Sequence, residues 1–250
     1  MKNEHPRDKF ITVYGKNPVL EVLNDKSIKV AKCFTTMKSS NPYLKGVKKM
    51  CIQRNIELEF VDKSRIAKIA KNEKQNQGIA ADVISFQKMS EEKFFSNLDQ
   101  NKKQYVVVFD GVTTPANIGL IIRTATGLGA AGIFLPRKGS PKISPLIIKA
   151  SAGTIFSAPI ISCATPFAAV KALKANGFKC LGMDGSGSAQ IDQMKLPDKA
   201  AIILGNESIG ISKDVTKELD EMVSIPTSVE SLNVACAATI ACWEVSKNIQ

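Results

Sequence analysis

Short apolar runs alternate with longer helical segments along residues 105–250, and this alternation limits the possible folds more than any other feature of the chain. The run YVVVF (105–109) is continuously apolar, as is typical of a strand buried on both faces of a parallel sheet. Four more strand-like runs follow, at 131–135, 178–183, 200–205 and 222–226. Helical patterns lie between and after them, at 116–130, 144–153, 167–177 and 231–248. The alternation predicts an α/β domain built on a parallel sheet.

A smaller pattern of the same kind occupies residues 9–85. β-branched and apolar residues predict strands at 10–14, 29–36, 57–61 and 79–86. Helices are expected from Asn17-Pro18, from Pro42 and over 63–71. The polar stretch 87–104, with a short helix around Glu91–Leu98, separates the two patterns. We therefore predict a small domain at 1–86, a linker at 87–104 and a larger domain at 105–250.

The positive charge of the chain is concentrated in its front part. Residues 1–104 carry 21 Lys and Arg against 12 Asp and Glu, a net charge of +9, whereas residues 105–250 carry 13 against 11, a net charge of +2. This asymmetry indicates a module that binds a polyanion, of which nucleic acid is the first candidate. The alternative is a solvated lysine-rich surface, because 29 of the 34 cations are lysines.

Several protein classes are excluded by what the sequence lacks. Its single histidine, His5, stands in a polar N-terminal tail and leaves none for a Ser-His-Asp triad or a His-based metal site. The six cysteines form no C-x-x-C pair and are expected to be reduced and mostly buried, as in a cytoplasmic protein. No G-x-G-x-x-G or P-loop motif is present, which argues against a nicotinamide or ATP enzyme. No apolar run approaches the roughly 18–20 residues of a membrane span, and no secretory signal is visible.

Three polar clusters each follow a predicted strand of the larger domain. They are Asp110-Gly111 with Asn117 to Arg123, then Gly205 to Gly210, then Ile225-Pro226 with Ser231 to Asn233. Each alone has an ordinary interpretation: a turn at Gly205, a helix N-cap at Ser231, or a snorkelling side chain at Arg123. Ligands bind at the carboxyl ends of strands in open α/β sheets, so three such clusters in one domain favour a shared site.

These clusters carry a resemblance to a known family. The segment Asn117–Ala125 resembles the first signature of the SpoU (TrmH) family of RNA ribose methyltransferases. Ile203–Glu207 with Gly210 resembles the second signature, and Ile225-Pro226 with Ser231–Val234 the third, in the same order and at similar spacing. The front part is similar to the family's ribosomal-protein-like RNA-binding extension, whose Gln-Gly step matches Gln77-Gly78. Asp110 stands further from Asn117 than the family pattern has it, so the resemblance assigns Asp110 no role.

The resemblance implies a fold, a cofactor and a reaction. The larger domain would be a SPOUT-type α/β methyltransferase domain with a C-terminal trefoil knot, working as a homodimer. S-adenosylmethionine would donate a methyl group to a ribose 2′-hydroxyl, without a metal. By motif, Gly205, Ile225 and Leu232 would line the cofactor, together with the loop Met183–Gly187.

The resemblance also implies a set of catalytic residues: Asn117, Arg123, Glu207, Ser231 and Asn233. The family assigns the base role to the arginine that matches Arg123. Because a free guanidinium stays protonated, we expect Arg123 to bind the phosphate beside the target ribose and to polarise its hydroxyl. Glu207 would orient Arg123 or take the proton. Ser231 and Asn233 would hold the ribose, and Asn117 would cap its own helix or reach the partner subunit's site.

Two further points stay open at this stage. The substrate is expected to be ribosomal RNA rather than transfer RNA, because of the N-terminal extension, and a non-catalytic RNA-binding protein on the same fold is the alternative. The last helix is apolar on most of its circumference, which indicates burial on all sides and supports a homodimer.

Overall fold

The computed structural model describes residues 10–26, 28–38, 40–70, 73, 76–84, 88–141 and 143–249. These residues form two compact units. Unit 1 contains the described residues up to Ile84 together with Ile143–Phe156. Unit 2 contains the described residues of 88–142 and 157–250. Because Ile143–Phe156 packs with the front of the chain, the division between the units is not a single cut in the sequence.

Unit 1 is built on a four-stranded sheet. Its strands are β1 (Phe10–Tyr14), β2 (Val30–Thr35), β3 (Glu57–Phe60) and β4 (Ile79–Ile84), in the order β1-β4-β2-β3. β4 runs antiparallel to both neighbours, whereas β2 and β3 are parallel. The helices are α1 (Lys16–Asn24), α2 (Pro42–Gln53) and α3 (Lys63–Ala70). All seven elements lie where the sequence pattern predicts them.

The sequence of α2 explains both its start and its orientation. The Asn41 side chain accepts a hydrogen bond from the Tyr43 backbone N–H at 3.0 Å, and Pro42 occupies the first turn. The helix buries Leu44, Val47 and Cys51, which share one face. Its lysines lie on the other face, as expected for a basic amphipathic helix.

Unit 2 is built on eight parallel strands. They are β5 (Met89–Ser90), β6 (Gln104–Phe109), β7 (Gly132–Pro136), β8 (Ile160–Cys163), β9 (Lys179–Met183), β10 (Ala189–Gln190), β11 (Lys199–Leu204) and β12 (Glu221–Ser224), in the order β10-β12-β9-β11-β6-β7-β8-β5. Its helices are α4 (Glu91–Ser96), α5 (Pro115–Gly127), α7 (Pro166–Ala175), α8 (Lys213–Thr216) and α9 (Val234–Lys247). Helix α6 (Pro145–Ala150) and the 3-10 turn Thr154–Phe156 lie between β7 and β8 in the sequence but pack in unit 1. The α/β architecture on a parallel sheet is confirmed, and the knot stays a prediction.

Several details differ from the sequence-based expectations. The expected linker, 87–104, contributes through its described residues β5, which pairs with β8, and the buried ring of Phe94, which packs edge-on against Phe134 at 5.3 Å between centroids. Strands β8 and β10 and helix α8 were not predicted. Helix α9 begins at Val234, three residues later than expected.

The order of the strands brings four loops to one edge of the unit 2 sheet. Strands β12, β9, β11 and β6 are consecutive neighbours and all parallel, so their carboxyl ends lie side by side. β6 has β7 on one side and β11 on the other, which makes its carboxyl end a switch point of the chain. Open α/β sheets bind ligands at such points. No helix of the described residues is both long and apolar enough to cross a membrane.

Candidate active site

A cavity of about 340 Å³ lies at the carboxyl edge of the unit 2 sheet. It is enclosed by the loops after β9, β11 and β12 and by the first turn of α9. All three predicted cofactor-binding residues, Gly205, Ile225 and Leu232, line it. Three of the predicted catalytic residues line it as well: Glu207, Ser231 and Asn233. The volume lies within the roughly 300–1,000 Å³ of small-ligand sites.

The wall of the cavity at Gly205 has no room for a side chain. A Cβ at Gly205 would lie 2.4 Å from the Gly210 carbonyl carbon and 2.5 Å from the Ile211 nitrogen, both backbone atoms. The reason is a tight loop in which Asn206 and Gly210 exchange two backbone hydrogen bonds of 2.9 Å. Glycine at 205 therefore lets the loop close over the end of β11.

The side chain of Asn206 holds this loop in place. Its Nδ2 donates to the Gly111 carbonyl at 2.8 Å, while its Oδ1 accepts from the backbone N–H groups of Ser208 and Ile209 at 2.9 and 3.2 Å. Asp110 adds a second tie, since its Oδ2 accepts from the Ser212 N–H at 2.7 Å. Asn206 and Asp110 thus join the loop after β6 to the loop after β11, and Asp110 has a structural role.

We expect Asn206→Ala to lower the affinity of the cavity for its cofactor by about tenfold or more, because one loop then lacks three hydrogen bonds of modest strength. Isothermal titration calorimetry with the cofactor measures this. Asn206→Asp is a second variant. It keeps the acceptor oxygen for Ser208 and Ile209 but places a carboxylate oxygen against the Gly111 carbonyl, so its affinity should also fall. An alanine variant with wild-type affinity would show that the loop holds its shape without this side chain.

A chain of hydrogen bonds joins three of the predicted catalytic side chains. Asn117 Nδ2 donates to Glu207 Oε1 at 2.7 Å, and Asn233 Nδ2 donates to Asn117 Oδ1 at 3.2 Å. Asn117 is buried, on the inner face of α5. These three residues come from three separate loops or helices, so the contact depends entirely on the fold.

The structure differs from three of the interpretations made from the sequence. Asn117 does not cap its own helix: the N-cap position of α5 is Thr114. Glu207 accepts from Asn117, and no hydrogen bond or ion pair within the described residues joins it to Arg123. Asn233, and not Ser231, is the N-cap of α9, since its Oδ1 accepts from the Ala235 N–H at 2.8 Å.

Arg123 lies apart from these residues. It is exposed on the outer face of α5 and is not among the residues that line the cavity. It follows Asn117 by six positions, which places the two side chains about 120° apart around the helix. Within one chain, Asn117, Glu207, Ser231 and Asn233 gather at or beside the cavity, whereas Arg123 does not, and the catalytic roles of all five stay predictions.

The electrostatics of the cavity favour a cationic ligand. Its lining includes three carboxylates, Asp184, Glu207 and Glu230, and no lysine or arginine among the described residues. Asp184 Oδ1 accepts from the backbone N–H and the hydroxyl of Ser186 at 2.8 and 2.6 Å, which fixes its orientation at the end of β9. A phosphate would be repelled here, whereas a ligand with a positive charge would be attracted. Within the part of the chain that the structure describes, no group of three or more His, Cys, Asp or Glu side chains is placed to hold a metal ion.

Sequence reasoning missed the carboxylate of Glu230, and it placed Asp184 at the cofactor only as part of the loop Met183–Gly187. Asp184 directly follows β9, so it obeys the same strand-end pattern as the other clusters. Its neighbour Gly185 gives a second signal, because a Cβ there would lie 2.9 Å from the Glu230 carbonyl oxygen. The loop Met183–Gly187 therefore packs against the segment that precedes α9, and Met183, Asp184 and Gly185 line the cavity as the resemblance implied.

Two family models match the chain. The first, described as the SpoU rRNA Methylase family, matches residues 104–243. The second, described as RNA 2'-O ribose methyltransferase substrate binding, matches residues 12–89. The first match covers the cavity of unit 2 and every strand of its sheet except β5, and the second covers the sheet of unit 1 apart from the first two residues of β1.

Relatives and solved structures match over nearly the whole length. A 23S rRNA (guanosine-2'-O-)-methyltransferase, RlmB of Neisseria meningitidis serogroup B, is 26% identical over 99% of this chain and 96% of its own. A relative from Staphylococcus saprophyticus, named as a TrmH family tRNA/rRNA methyltransferase, is 27% identical over 94% of each chain. The crystal structure of the SpoU methyltransferase AviRb from Streptomyces viridochromogenes in complex with AdoMet aligns with a TM-score of 0.72 and 23% identity, over 99% of this chain and 93% of that one. This last likeness is one of fold.

The family model for SpoU methylases spans more than half of the chain and contains every residue of the Asn117, Glu207 and Asn233 network. The chain belongs to the SpoU rRNA methylase family and is an RNA methyltransferase that uses S-adenosylmethionine.

Proposed function

We propose that the protein methylates the 2′-hydroxyl of one ribose in ribosomal RNA, with S-adenosylmethionine held in the unit 2 cavity. The observation that carries this proposal is the acidic, phosphate-repelling cavity beside the hydrogen-bonded Asn117, Glu207 and Asn233 side chains. A sugar hydroxyl needs alignment with the donor and removal of one proton, and amide and carboxylate side chains supply both.

The residues of the cavity fit the proposed cofactor. Gly205, Ile225 and Leu232 provide backbone and apolar surface, and Asp184 and Glu230 provide negative charge. When bound, S-adenosylmethionine supplies a methyl group already activated by a positively charged sulfur. Since it has no phosphate, the absence of a glycine-rich phosphate loop from the sequence agrees with this assignment.

Glu207 is our choice for the proton acceptor. Of the five predicted catalytic residues, it is the one that carries a carboxylate, and Arg123, Asn117, Asn233 and Ser231 are poor bases at neutral pH. Asn117 fixes one carboxylate oxygen, Oε1, at 2.7 Å, which leaves Oε2 to face the substrate hydroxyl. Asn233 and Ser231 hold the ribose. Arg123, which lies outside the cavity of its own chain, binds the adjacent phosphate through its planar fork in the site of the second copy of the proposed dimer.

Ribosomal RNA is our preferred substrate, because the 23S rRNA methyltransferase of Neisseria matches both units of this chain from end to end. Transfer RNA is the second candidate, since the name of the staphylococcal relative includes both. A protein that binds RNA without catalysis is disfavoured by the intact network of Asn117, Glu207 and Asn233.

The proposed substrate is tested by transfer of a radiolabelled methyl group from S-adenosylmethionine to purified ribosomal and transfer RNA, followed by alkaline hydrolysis. A 2′-O-methyl group protects its phosphodiester from alkali, so an alkali-resistant labelled dinucleotide from ribosomal RNA supports the proposal. Label in free nucleotides would contradict it.

We also propose that the protein is a homodimer in the cytoplasm. The packed helices α5 and α9 expose three large apolar side chains, Leu120 (44%), Ile240 (36%) and Trp243 (53%). The sequence predicted burial of this face of α9, and a second copy would provide it. All six cysteines are free thiols, five of them buried, which suits a reducing compartment.

We expect Trp243→Glu to convert the dimer to a monomer, because a charge would be buried at the centre of the interface. Light scattering should give a mass of 27.0 kDa for the variant and twice that for the wild type. Phe167→Ala, at an exposed aromatic residue on α7, is the control and should leave the dimer intact. A wild-type protein that scatters as a monomer at micromolar concentration would rule out the dimer.

The basic helices of unit 1 are proposed as RNA contacts. Lys48 and Lys49 lie on α2, and Arg65 and Lys68 on α3, all with part or most of the side chain in solvent. Arg65 forms an ion pair with Glu59 at 2.8 Å, so the three lysines should contribute more to RNA binding than Arg65 does.

Replacing all four basic residues with alanine should weaken RNA binding and flatten its salt dependence. The log–log slope should change by about 0.7–0.9 for each phosphate that the variant no longer binds. Lys213→Ala with Lys217→Ala, on exposed residues of unit 2, is the control, and cofactor affinity should be unchanged in both. An unaltered salt slope would show that these helices do not bind RNA and are a solvated lysine-rich surface.

A further inference from the structure

Unit 1 contains a second cavity whose chemistry is opposite to that of the active site. It has a volume of about 820 Å³ and lies where α1 and α2 end, next to the start of β2 and the end of β4. Three cations line it, Lys26, Lys29 and Arg54, and none of its described lining residues is acidic. A cavity with this charge attracts an anion, whereas the carboxylates in unit 2 repel one.

Arg54 forms a fixed part of the cavity wall. Its Nη1 donates to the Val22 and Leu23 carbonyls at 2.9 and 2.8 Å, and its Nη2 donates to the Ile28 carbonyl. These bonds satisfy the last carbonyls of α1 and hold the guanidinium in place. Lys26 and Lys29 are exposed at the mouth, where their ammonium groups can reach a ligand in solution.

The mouth of the cavity also carries an apolar platform. Ile84 lines the cavity and is 43% exposed. Phe10 is the direct partner of Ile84 in the antiparallel β1–β4 ladder and is 38% exposed. Direct partners point to the same face of a sheet, so the aromatic ring of Phe10 lies beside Ile84. Exposed aromatic rings next to cations are the surface on which proteins stack single-stranded bases.

Two amide side chains complete the set of groups. Asn24 and Gln53 line the cavity and are exposed, each with a donor and an acceptor. Amides read the edges of unpaired bases, while lysines contact phosphates. Amides and cations that line the cavity, together with Ile84 on its wall and Phe10 beside Ile84 outside the lining, match the parts of a single nucleotide.

We propose that this cavity receives one unpaired nucleotide of the substrate RNA, with its base on Phe10 and Ile84 and its phosphate at Lys26 and Lys29. The proposal rests on the proposed function, because it assumes that unit 1 holds the RNA. It deepens that function by assigning a defined subsite that selects single-stranded RNA over a fully paired duplex.

The test measures RNA affinity of the full-length chain by fluorescence anisotropy. The probes are a labelled single-stranded RNA of about 12 nucleotides and a fully paired duplex of the same sequence. Phe10→Ala should weaken single-strand binding by about 5- to 150-fold, the range found when a base-stacking aromatic side chain is removed. Duplex binding should be unchanged. Phe10→Trp should keep single-strand binding, because the larger ring still stacks. Phe167→Ala, an exposed phenylalanine in unit 2, is the matched control and should bind both probes as the wild type does.

A second variant separates phosphate binding from stacking. Lys26→Ala with Lys29→Ala should flatten the salt slope of single-strand binding by about 0.7 per phosphate bound, whereas Phe10→Ala should leave that slope unchanged. Wild-type affinity in both variants would overturn the subsite. Phe60 is an exposed aromatic residue elsewhere on unit 1, with Lys48 Nζ 5.1 Å from the centre of its ring. If Phe60→Ala weakened single-strand binding and Phe10→Ala did not, the subsite would also be overturned. Methyl transfer to RNA is read separately. If the wild-type protein methylated ribose and these variants bound RNA with wild-type affinity, the subsite would be refuted. The proposed function would still hold.

Discussion

Replacing Arg123 with alanine should abolish methyl transfer while leaving cofactor affinity unchanged. Arg123 lies outside the cavity lining, on the exposed face of α5, so its removal does not disturb the residues that hold the cofactor. We assign it to the substrate phosphate, where it stabilises the transition state. The expected fall in turnover is about 10²–10³-fold, measured under single-turnover conditions with saturating S-adenosylmethionine.

Arg123→Lys is the matched control for charge. Lysine keeps the positive charge but lacks the planar pair of donors, so its turnover should lie between those of alanine and the wild type. Cofactor titration should give one affinity for all three proteins. Wild-type turnover in the alanine variant would remove Arg123 from the mechanism.

The second large effect is expected at Gly205. In Gly205→Ala the new methyl group would lie 2.4 Å from the Gly210 carbonyl carbon and 2.5 Å from the Ile211 nitrogen, and backbone atoms cannot move aside as a flexible side chain can. The loop 206–210 must then shift, and with it Glu207 and the wall of the cavity. We expect cofactor affinity to fall by about 5- to 150-fold, the equivalent of the roughly 1–3 kcal/mol that overpacking costs.

Gly46→Ala provides the control for this glycine substitution. Gly46 lies within α2, where a Cβ meets no heavy atom within 4 Å. Alanine favours a helix over glycine by roughly 1 kcal/mol, so thermal stability should rise slightly and cofactor affinity should not change. A Gly205→Ala protein that binds cofactor normally would show that the loop after β11 is not the cofactor wall.

Most secondary structure could be predicted because its signals are local. The continuous apolar run at 105–109 marks β6, and the pattern Asn41-Pro42 marks the start of α2 through a cap and a fixed φ. The helical pattern at 167–177 closes on Gly177, which follows α7 with a φ of 82° that glycine adopts without strain. These elements require information from only a few neighbouring residues.

The division into units could not be predicted in the same way. α6 follows β7 in the sequence, so a contiguous second domain was the natural expectation. Its buried Ile147 and Ile148 nevertheless pack in unit 1 together with α1. An isolated fragment 105–250 would separate α6 from these neighbours, so the full chain is the appropriate protein for cofactor studies. Contacts between distant segments are decided by packing, which has no local signature.

The candidate site was predicted in its residues but only partly in its contacts. Motifs identified Gly205, Ile225 and Leu232, and all three line one cavity. The hydrogen bond from Asn117 to Glu207 spans 90 residues of sequence and was not foreseen. Of the two roles expected for Glu207, contact with Arg123 is not seen within one chain, because Glu207 bonds to Asn117 on the buried face of α5 while Arg123 lies on the exposed face. Side-chain direction around a helix depends on which face is buried, and α5 buries Asn117 and exposes Arg123.

We propose that this protein adds a methyl group to one ribose of ribosomal RNA. Mass-spectrometric mapping of ribose methylation, in total RNA from cells with and without the gene, tests this most directly. We expect one 2′-O-methylated nucleotide in ribosomal RNA to disappear without the gene and to return with the wild-type gene but not with Arg123→Ala. An unchanged set of ribose methylations in ribosomal RNA, with a loss in transfer RNA or at a base instead, would contradict it.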